Sequence, residues 1–362
     1  MRKIFITGGA GFIGSNAADI FASKGDRVTV FDNFSRKGTR ANAAWLKEKH
    51  PDVQIVEGDI RDLSALKEAM QGHDTVLHLA AQVAVTTSVV DPREDFEINA
   101  LGAFNVLEAA RSMEVPPALL YSSTNKVYGG MEDVSVVERD GRYEYEDLRG
   151  GASESRQLDF HSPYGCSKGC ADQYFVDYAR IYGLKTVVFR QSCIYGRRQF
   201  GVEDQGWVAW FSIATLLGRP LTIFGDGKQV RDVLFVDDLV EAYDMALSQI
   251  DKISGQAFNI GGGPSNTLSL LELLAFLEKE FGMEIPREFD EWRPGDQKVF
   301  VCDVSKAERE FGWRPSTSPE EGVKKLIDWI KENRSTLEEY LVAKREHQNL
   351  KNEQTKAEQK VV

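Results

Sequence analysis

KIFITGGAGFIG, residues 3–14, joins a short apolar run to a loop with glycine at positions 8, 9, 11 and 14. The apolar run, residues 3–7, predicts a buried strand, and a helical pattern follows as far as residue 24. Glycine permits the tight turn between them and lets a diphosphate approach the helix N-terminus, where backbone N–H groups lack partners. The stretch therefore predicts the first unit of a dinucleotide-binding sheet, with Gly8, Gly11, Phe12 and Ile13 beside the ligand.

An acidic residue follows the second predicted strand, residues 27–31. Asp32 stands where a carboxylate can accept hydrogen bonds from the ribose hydroxyls of an adenosine. Because this carboxylate would repel a 2′-phosphate, it favours NAD over NADP, although Arg36 could offset the repulsion. Asn33, next in the chain, is assigned to the same cofactor site.

Three more predicted strands, residues 53–56, 75–79 and 118–123, end in candidate cofactor residues. After the strand at residues 53–56, Asp59 is placed to meet the adenine amino group, or else to cap a helix over residues 63–70, and Ile60 lies beside it. The other candidates at these strand ends are Leu79, Ala80, Ala81 and Ser122. Small residues after the fourth strand would let the backbone pass beneath a cofactor. Asn99 lies in a predicted long helix, residues 95–113, and is expected to brace the following strand.

Strand and helix alternate up to residue 192, which predicts an α/β protein with a Rossmann-like, doubly wound parallel sheet. The carboxyl ends of its strands would collect the candidate residues at one edge, where such sheets bind ligands. Beyond this point the helices are joined by longer loops and short strands, which indicates a smaller, mixed α/β substrate domain. We expect a Rossmann domain over residues 1–192, a substrate domain over 193–341 and a polar tail over 342–362.

The net charge of −12 argues against nucleic acid and acidic membranes as partners, because both bind basic patches. The four cysteines follow no disulfide or metal spacing, which indicates a reducing, cytoplasmic setting. No apolar run is long enough to span a membrane, and no signal-peptide pattern opens the sequence.

Tyr164 and Lys168 stand four residues apart, on one face of a helix predicted to run to about residue 182. A nearby ammonium or a positive nicotinamide ring favours the phenolate and lowers the pKa of the phenol. The pair could therefore take a proton from a sugar or alcohol hydroxyl. Cys166 and Cys170 share this helix, but only His161 is close to them, so we predict packing and no metal site.

These motifs, in this order, resemble those of the extended short-chain dehydrogenases/reductases, specifically the nucleotide-sugar epimerases and dehydratases. The resemblance covers roughly residues 1–340. It implies a tightly held NAD, with Tyr164 as proton acceptor, Lys168 bridging the nicotinamide ribose and the phenol, and Thr124 hydrogen-bonded to the reacting oxygen. Cys193 could contact the nicotinamide carboxamide or the sugar, or else pack as a small core residue after the strand. The resemblance also implies a homodimer or homotetramer, paired through the two long helices at residues 95–113 and 164–182.

The residues after Thr124 narrow the range of reactions that the chain could catalyse. Dehydratases of this family carry an Asp-Glu pair there, whereas this chain has Asn125 and Lys126. An amide and a cation do not suit the elimination of water, which leaves removal and return of a hydride, and so epimerisation. The segments 124–129 and 192–196 most resemble the branch that inverts C2 of a CDP-3,6-dideoxyhexose. Inversion at C2 of another nucleotide-hexose, a 4-epimerase, a net dehydrogenase and a catalytically silent binding protein stay open as alternatives.

The nucleotide-sugar site is expected mainly in the second half of the chain. Residues 225–232, GDGKQVRD, resemble the family's diphosphate-binding turn, and residues 293–296, RPGD, its second arginine motif. Arginine forks suit phosphate oxygens, although exposed surface arginines are the alternative. The predicted substrate-binding residues are Thr124, Asn125, Ser192, Arg231 and Arg293.

Overall fold

The computed structural model describes residues 1–203, 205–293 and 296–340. The predicted tail over 342–362 lies outside the described residues, as do Pro294 and Gly295 of the second arginine motif. The strands in chain order are β1 Lys3–Thr7, β2 Arg27–Asp32, β3 Gln54–Glu57, β4 Thr75–His78, β5 Ala118–Thr124, β6 Val136–Arg139, β7 Arg142–Tyr145, β8 Thr186–Gln191, β9 Ile194–Tyr195, β10 Leu221–Phe224, β11 Val230–Asp232, β12 Leu234–Phe235, β13 Gln256–Ile260, β14 Thr267–Ser269, β15 Arg287–Asp290 and β16 Val299–Phe300.

The helices alternate with these strands through the first half of the chain and cluster in the second. They are α1 Phe12–Ser23, α2 Thr39–Lys49, α3 Leu63–Met70, α4 Val85–Val90, α5 Pro92–Phe96, α6 Gly102–Arg111, α7 Ser162–Tyr182, α8 Trp207–Leu216, α9 Val236–Ser248, α10 Ile250–Ile253, α11 Leu270–Phe281, α12 Ser305–Phe311 and α13 Pro319–Glu332. A π-helical turn, Glu97–Leu101, joins α5 to α6, and a 3₁₀ turn, Asn125–Tyr128, follows β5.

The main sheet has seven parallel strands in the order β13-β8-β5-β4-β1-β2-β3. The strand order reverses between β1 and β4, because the chain first builds outward through β2 and β3 and then returns. In doubly wound sheets, ligands bind in the crevice at the carboxyl ends of the strands beside such a reversal. The predicted fold class is confirmed, and the reversal lies where the glycine loop leaves β1.

Apolar residues fill both faces of this sheet. One cluster includes Ile4, Ile6, Val30 and Leu77, and another includes Phe5 and its neighbours from helices α3, α6 and α7. Strands that are buried on both faces have near-continuous apolar sequences, and the first strands of this chain show that pattern. This packing fixes the sheet edge on which the candidate residues stand.

Two segments differ from the sequence-based expectation. The predicted single helix over residues 95–113 is interrupted, because α5 ends at Phe96 and the π-helical turn precedes α6. Between β5 and α7, where no strand is predicted from the sequence, the chain forms the antiparallel hairpin β6–β7. Arg142 and Tyr143 of the hairpin contact Glu272 and Asp226, far along the chain, and these contacts are invisible to local sequence patterns.

The second half of the chain forms small sheets, β14-β11-β16, β10-β15 and β12-β9, around a core of its own. One strand from this half, β13, nevertheless joins the main sheet, pairing in parallel with β8 from Gln256↔Val187 onward. The predicted domain boundary at residue 192 stays a prediction. Among the described residues, none of the helices has the length and apolarity needed to cross a bilayer.

Candidate active site

The glycine loop packs directly against the end of β4. Gly8 has φ +67°, and a Cβ built on it would lie 2.7 Å from the backbone of Ala80, so only glycine fits without displacement. Helix α1 begins after Gly11 with no side-chain cap on its first N–H groups. Uncapped N–H groups at a helix start, beside a turn that leaves room for a ligand, fit the diphosphate of a dinucleotide.

A cavity of about 190 Å³, here called the glycine-loop cleft, opens above this turn. Most of the predicted cofactor residues line it, namely Gly8, Gly11, Phe12, Ile13, Asp32, Asn33, Asp59, Ile60, Leu79, Ala80 and Ala81. Sequence reasoning missed other lining residues, among them Ile98 and Gln205. Gln205 comes from the second half of the chain, and no local pattern marks it.

Asp32 ties the glycine loop to the end of β2. Its two carboxylate oxygens accept hydrogen bonds from the backbone N–H groups of Ala10, at 3.1 Å, and Phe34, at 2.9 Å. Burial raises the pKa of Asp32, although these two hydrogen bonds act in the opposite direction. Each oxygen keeps a further lone pair, so the carboxylate can still accept from a ligand hydroxyl in the cleft.

Asp59 is more fully engaged than the sequence suggested. Its oxygens accept hydrogen bonds from Arg61, at 2.8 to 3.0 Å, and from the side-chain amide of Asn33, at 2.9 Å. The hydrogen bond from Arg61 is the main reason that the pKa of Asp59 falls to about 2. The alternative of a helix cap was wrong, since Asp62 caps α3. The contact of Asp59 with an adenine stays a prediction.

Asn99 stands in the π-helical turn and braces different elements from those expected. Its Oδ1 accepts from the backbone N–H of Gln82 at 3.0 Å, and its Nδ2 donates to Asp95 at 3.0 Å and Ser167 at 3.2 Å. It therefore joins the segment after β4 to helix α7, not to the strand that follows it. Asp95, which the sequence analysis overlooked, is the buried acceptor of this network.

Local sequence sets where helix α7 begins and ends. Pro163 lies in its first turn, where its missing N–H costs nothing, and Gly183, with φ +69°, ends it in the left-handed conformation. Tyr164 and Lys168 thus lie one turn apart near the helix start, and both side chains are buried.

Thr124, the last residue of β5, completes the group. Because β5 lies between β4 and β8 in the sheet, Thr124 stands between the glycine-loop cleft and Cys193, just beyond β8. Its hydroxyl lies close enough to the phenol of Tyr164 to lower the pKa of that phenol. The ammonium of Lys168 donates to the carbonyl oxygen of Ser122 at 2.5 Å. The structure therefore brings the three predicted catalytic residues together at the carboxyl ends of the central strands.

Burial dominates the titration of this group. Burial raises the pKa of Tyr164 to about 12, although Thr124 and Arg36 act in the opposite direction. It also lowers the pKa of Lys168 to about 7, although Asp172 and Asp95 act in the opposite direction. The expected lowering of the phenol pKa is therefore not seen in this structure. The same burial excludes water from the residues that would exchange a proton with a substrate.

A second cavity of about 180 Å³ lies on the other side of Thr124. We call it the arginine cavity, and its lining residues are Cys193, Glu203, Gln205, Gly206, Trp207, Phe211, Thr222, Phe224, Gln229, Arg231, Leu270, Arg293 and Asp296. The guanidinium of Arg231 donates to Asp296 at 2.6 Å, and that of Arg293 lies 3.9 Å from the ring centre of Phe224. Both predicted arginines therefore reach one cavity from distant parts of the chain.

Three predicted residues take unexpected positions. Cys193 lines the arginine cavity, and burial raises the pKa of its thiol. The Ser192 hydroxyl donates to the buried carboxylate of Asp232 at 2.6 Å, so this side chain supports β11. The Ser122 hydroxyl donates to Gln191 at 3.0 Å, and it is the Ser122 carbonyl that contacts Lys168. Their contacts with ligands stay predictions.

The cysteines of α7 stand apart from this chemistry. Cys166 is exposed and Cys170 is partly buried, and both are unpaired thiols. Within the described ranges, no three His, Cys, Asp or Glu side chains come together as a metal site would require.

Known proteins resemble the chain over nearly all of its length. The family model described as GDP-mannose 4,6 dehydratase matches residues 5–326. A CDP-paratose 2-epimerase from Salmonella typhi is 48% identical over 334 residues, covering 90% of this chain and 98% of that protein. A putative UDP-glucose 4-epimerase from Methanocaldococcus jannaschii is 33% identical over 335 residues, covering 92% of this chain and 100% of that protein.

A solved structure agrees with these matches. The UDP-glucuronic acid 4-epimerase from Bacillus cereus, in complex with UDP-glucuronic acid and NAD, superposes with a TM-score of 0.78 at 29% identity, covering 91% of this chain and 99% of that one. The family and fold predicted from the sequence are thereby confirmed. The chain belongs to the GDP-mannose 4,6 dehydratase family, among the nucleotide-sugar epimerases and dehydratases of the extended short-chain dehydrogenases/reductases.

Proposed function

We propose that this chain is an NAD-dependent nucleotide-sugar epimerase that inverts C2 of a CDP-3,6-dideoxyhexose, converting CDP-paratose to CDP-tyvelose through a 2-keto intermediate. The observation that carries the proposal is the meeting of Thr124, Tyr164 and Lys168 at the strand ends, in a sheet edge that also bears a cleft suited to a dinucleotide and a cavity lined by two arginines. The 48% identity to a CDP-paratose 2-epimerase supports the choice of sugar, base and carbon.

The chain's own residues would handle the proton and hold the substrate. NAD, when bound, supplies a reversible acceptor for the hydride of a sugar carbon. Tyr164 would take the proton of the sugar hydroxyl as the ketone forms and give it back at the end. Lys168 would hold the phenolate form by its positive charge, and Thr124 would hydrogen-bond the reacting oxygen. Their burial strengthens the contacts within the group but opposes ionisation of Tyr164 and Lys168, so the positive charge of bound NAD would be needed to favour the phenolate.

The substrate would lie across Thr124 with its diphosphate in the arginine cavity. Arg231 and Arg293 offer forked N–H donors that match phosphate oxygens. With the diphosphate anchored there, the keto-sugar could turn its opposite face to the nicotinamide, and reduction on that face would invert the stereocentre. Asn125, whose Oδ1 lies 3.4 Å from the Thr124 hydroxyl, would contact the sugar beside the reacting carbon.

The 3₁₀ turn after β5 argues against a dehydratase. Elimination of water needs an acid and a base next to the sugar. The two residues after Thr124 are an amide, Asn125, and a cation, Lys126, whose pKa burial lowers to about 8. Neither replaces a carboxylic acid and its conjugate base at neutral pH.

Epimerisation at C4 is the second candidate, and the chain could also act at C2 of another nucleotide-hexose. The candidate at C4 is favoured by the M. jannaschii relative and the B. cereus structure, both described as 4-epimerases. The catalytic residues are equally suited to either carbon, because they act on whichever hydroxyl the substrate presents.

Isotope transfer distinguishes these candidates. The purified enzyme is given CDP-paratose deuterated at C2, and the product is analysed by NMR and mass spectrometry. We expect an inverted sugar that keeps its deuterium at C2, because the hydride is removed and returned at that carbon. Inversion at C4 would overturn the assignment, and so would accumulation of reduced cofactor with a released keto-sugar. A panel of UDP- and dTDP-hexoses, run in parallel, tests the choice of base and sugar.

We also propose that two copies pair through α5, α6 and α7. Large apolar side chains are exposed on these helices and on the π-helical turn, namely Phe96, Leu101, Phe104, Tyr174, Ile181 and Tyr182. Phe104 and Tyr174 touch across α6 and α7, with ring centres 5.8 Å apart, so the patch is continuous. Such a patch suits a two-fold interface. Light scattering should give a dimer or tetramer, and a stable monomer at micromolar concentration would contradict the pairing.

The cellular setting follows from the same proposal. Nucleotide sugars are substrates of the cytoplasm, and we place the enzyme there, in lipopolysaccharide O-antigen biosynthesis. Fractionation of cells that produce the protein would test the location. Recovery with the periplasmic fraction would contradict it.

A further inference from the structure

Lys126 is a partly buried cation that follows Thr124 by two residues and has Arg231 and Asp296 among its charged neighbours. Its backbone N–H donates to the Thr124 hydroxyl at 3.2 Å, which fixes the start of the 3₁₀ turn beside the reacting centre. Its ammonium lies 3.3 Å from Oε1 of Gln297. The Gln297 side chain is buried, and its Nε2 donates to the carbonyl oxygen of Gly129 at 2.7 Å. Because a carbonyl can only accept, the amide has one possible orientation, with Oε1 facing Lys126.

Within the described part of the chain, the charge of Lys126 has no close counter-charge. Among the described residues, no carboxylate lies within ion-pair distance of its ammonium. Asp296, which raises its pKa from nearby, accepts instead from Arg231 at 2.6 Å and from the backbone of Gln297 at 3.0 Å. A desolvated ammonium whose hydrogen bond goes to a neutral amide is costly. An anionic ligand at this position would remove that cost.

We propose that Lys126 binds the sugar-proximal phosphate of the nucleotide sugar and so holds C2, not C4, against Tyr164. The inference rests on the proposed function. The C2 carbon is bonded directly to the anomeric carbon, which carries the diphosphate, whereas C4 lies across the ring. When C2 reacts, the sugar-proximal phosphate therefore lies close to Tyr164 and Thr124. A cation two residues after Thr124 is suited to bind it there.

Arg231 and Arg293 by themselves do not set the distance between the sugar-proximal phosphate and Tyr164. Arg231 lies on β11 and donates to the Val230 carbonyl and to Asp296, so its guanidinium is held at the cavity wall. Lys126 approaches from β5, on the catalytic side, with Cys193 and Arg231 among its charged or titratable neighbours. A phosphate bridging Lys126 and Arg231 would draw the sugar towards Thr124. Lys126 is thus a positioning residue that sets the reacting carbon.

Binding of nucleotides that lack the sugar tests this role independently of turnover. Dissociation constants for CDP and CMP are measured by calorimetry with the NAD-loaded enzyme and its Lys126→Met variant. CDP carries the phosphate in question and CMP lacks it. We expect Lys126→Met to weaken CDP about tenfold or more, as loss of a charge-assisted hydrogen bond implies, and to leave CMP within about twofold. Lys126→Arg should keep most of the CDP affinity.

Lys325→Met serves as the matched control, because Lys325 is exposed, lies on α13 and pairs with Glu321 at 2.7 Å. Equal losses for CDP and CMP would overturn the proposal in favour of a structural role, and unchanged CDP affinity would overturn it outright. If Lys126→Met fails to fold, Lys126→Gln replaces it in the same comparison. UDP and UMP repeat the measurement if cytidine nucleotides do not bind. A wild-type enzyme that binds CDP but does not act at C2 would refute the proposed function and leave the phosphate contact measurable.

Discussion

The glycine-loop cleft and the arginine cavity are built in different ways. The cleft is lined mainly by turns that directly follow β1, β2, β3 and β4, so neighbouring residues in the sequence are neighbours in the site. The cavity collects residues from α8 and the chain just before it, from β10, β11 and the start of α11, and from the segment before β16. Short-range turn chemistry therefore specifies the first site, whereas long-range packing assembles the second.

Between the two lies a group that belongs to both. Thr124 ends the central strand β5, and Tyr164 and Lys168 start the helix that packs on it. We expect the ligands of the two sites to meet at this group, where buried ionisable side chains are concentrated. Changes at the group, the cleft and the cavity should accordingly have separable effects.

The largest expected effect is at the shared group. Tyr164→Phe removes the proposed base and should reduce turnover by about 10²- to 10⁴-fold, while NAD content and nucleotide binding stay unchanged. Steady-state kinetics, cofactor absorbance of the purified protein and calorimetry with CDP provide the three readouts. Retained turnover would exclude the phenol as proton acceptor, and loss of NAD together with activity would indicate a structural defect.

The next effect should be confined to the cleft. Gly8→Ala adds a methyl group 2.7 Å from the Ala80 backbone at a φ of +67°, whereas Gly25→Ala, at a φ of +86°, meets nothing within 4 Å. Both variants bear the left-handed strain of about 1–2 kcal/mol, and Gly8→Ala adds about 1–3 kcal/mol from overpacking. Denaturant unfolding should show the larger loss of stability for Gly8→Ala. NAD titration should show release of NAD only for that variant. Equal behaviour of the two variants would mean that the close approach to β4 does not matter.

The smallest effect should be confined to the cavity. Arg231→Gln removes a forked donor to the proposed diphosphate and should raise KM for the nucleotide sugar about tenfold or more. NAD content should not change, because Arg231 lines only the arginine cavity among the two sites. Arg287→Gln is the control, since Arg287 forms a comparable pair with Glu278, at 3.0 Å, on exposed β15. A fall in NAD content of Arg231→Gln would show that the two sites are coupled more tightly than their geometry indicates.

Much of the fold was predictable from local pattern. The strands of the first half, the helix over residues 63–70 and the start of α7 lie within a residue or two of the predicted bounds, because apolar runs and Gly or Pro punctuation mark them. The hairpin β6–β7 was missed, since Arg142 and Tyr143 are held by residues more than eighty positions away. The interruption of the long helix was missed as well, because a π turn leaves no compositional signature.

The residues of the candidate site were likewise predictable only in part. Residues of the glycine-loop cleft were largely identified, whereas Gln205, Asp95 and the turned-away hydroxyl of Ser192 were not. Whether a side chain points into a cavity depends on the partner that competes for it. For Ser192 that partner is Asp232, forty residues further along.

By itself, the sequence determined the α/β class, the glycine turn and the order of the Tyr and Lys on one helix face. These depend on backbone conformations and side-chain periods that span only a few residues. Only the tertiary structure decided that Lys126 and Arg231 become neighbours, and that burial sets the pKa values of Tyr164 and Lys168. Desolvation and the meeting of charges are properties of residues that become neighbours when the chain folds, so no local pattern can record them.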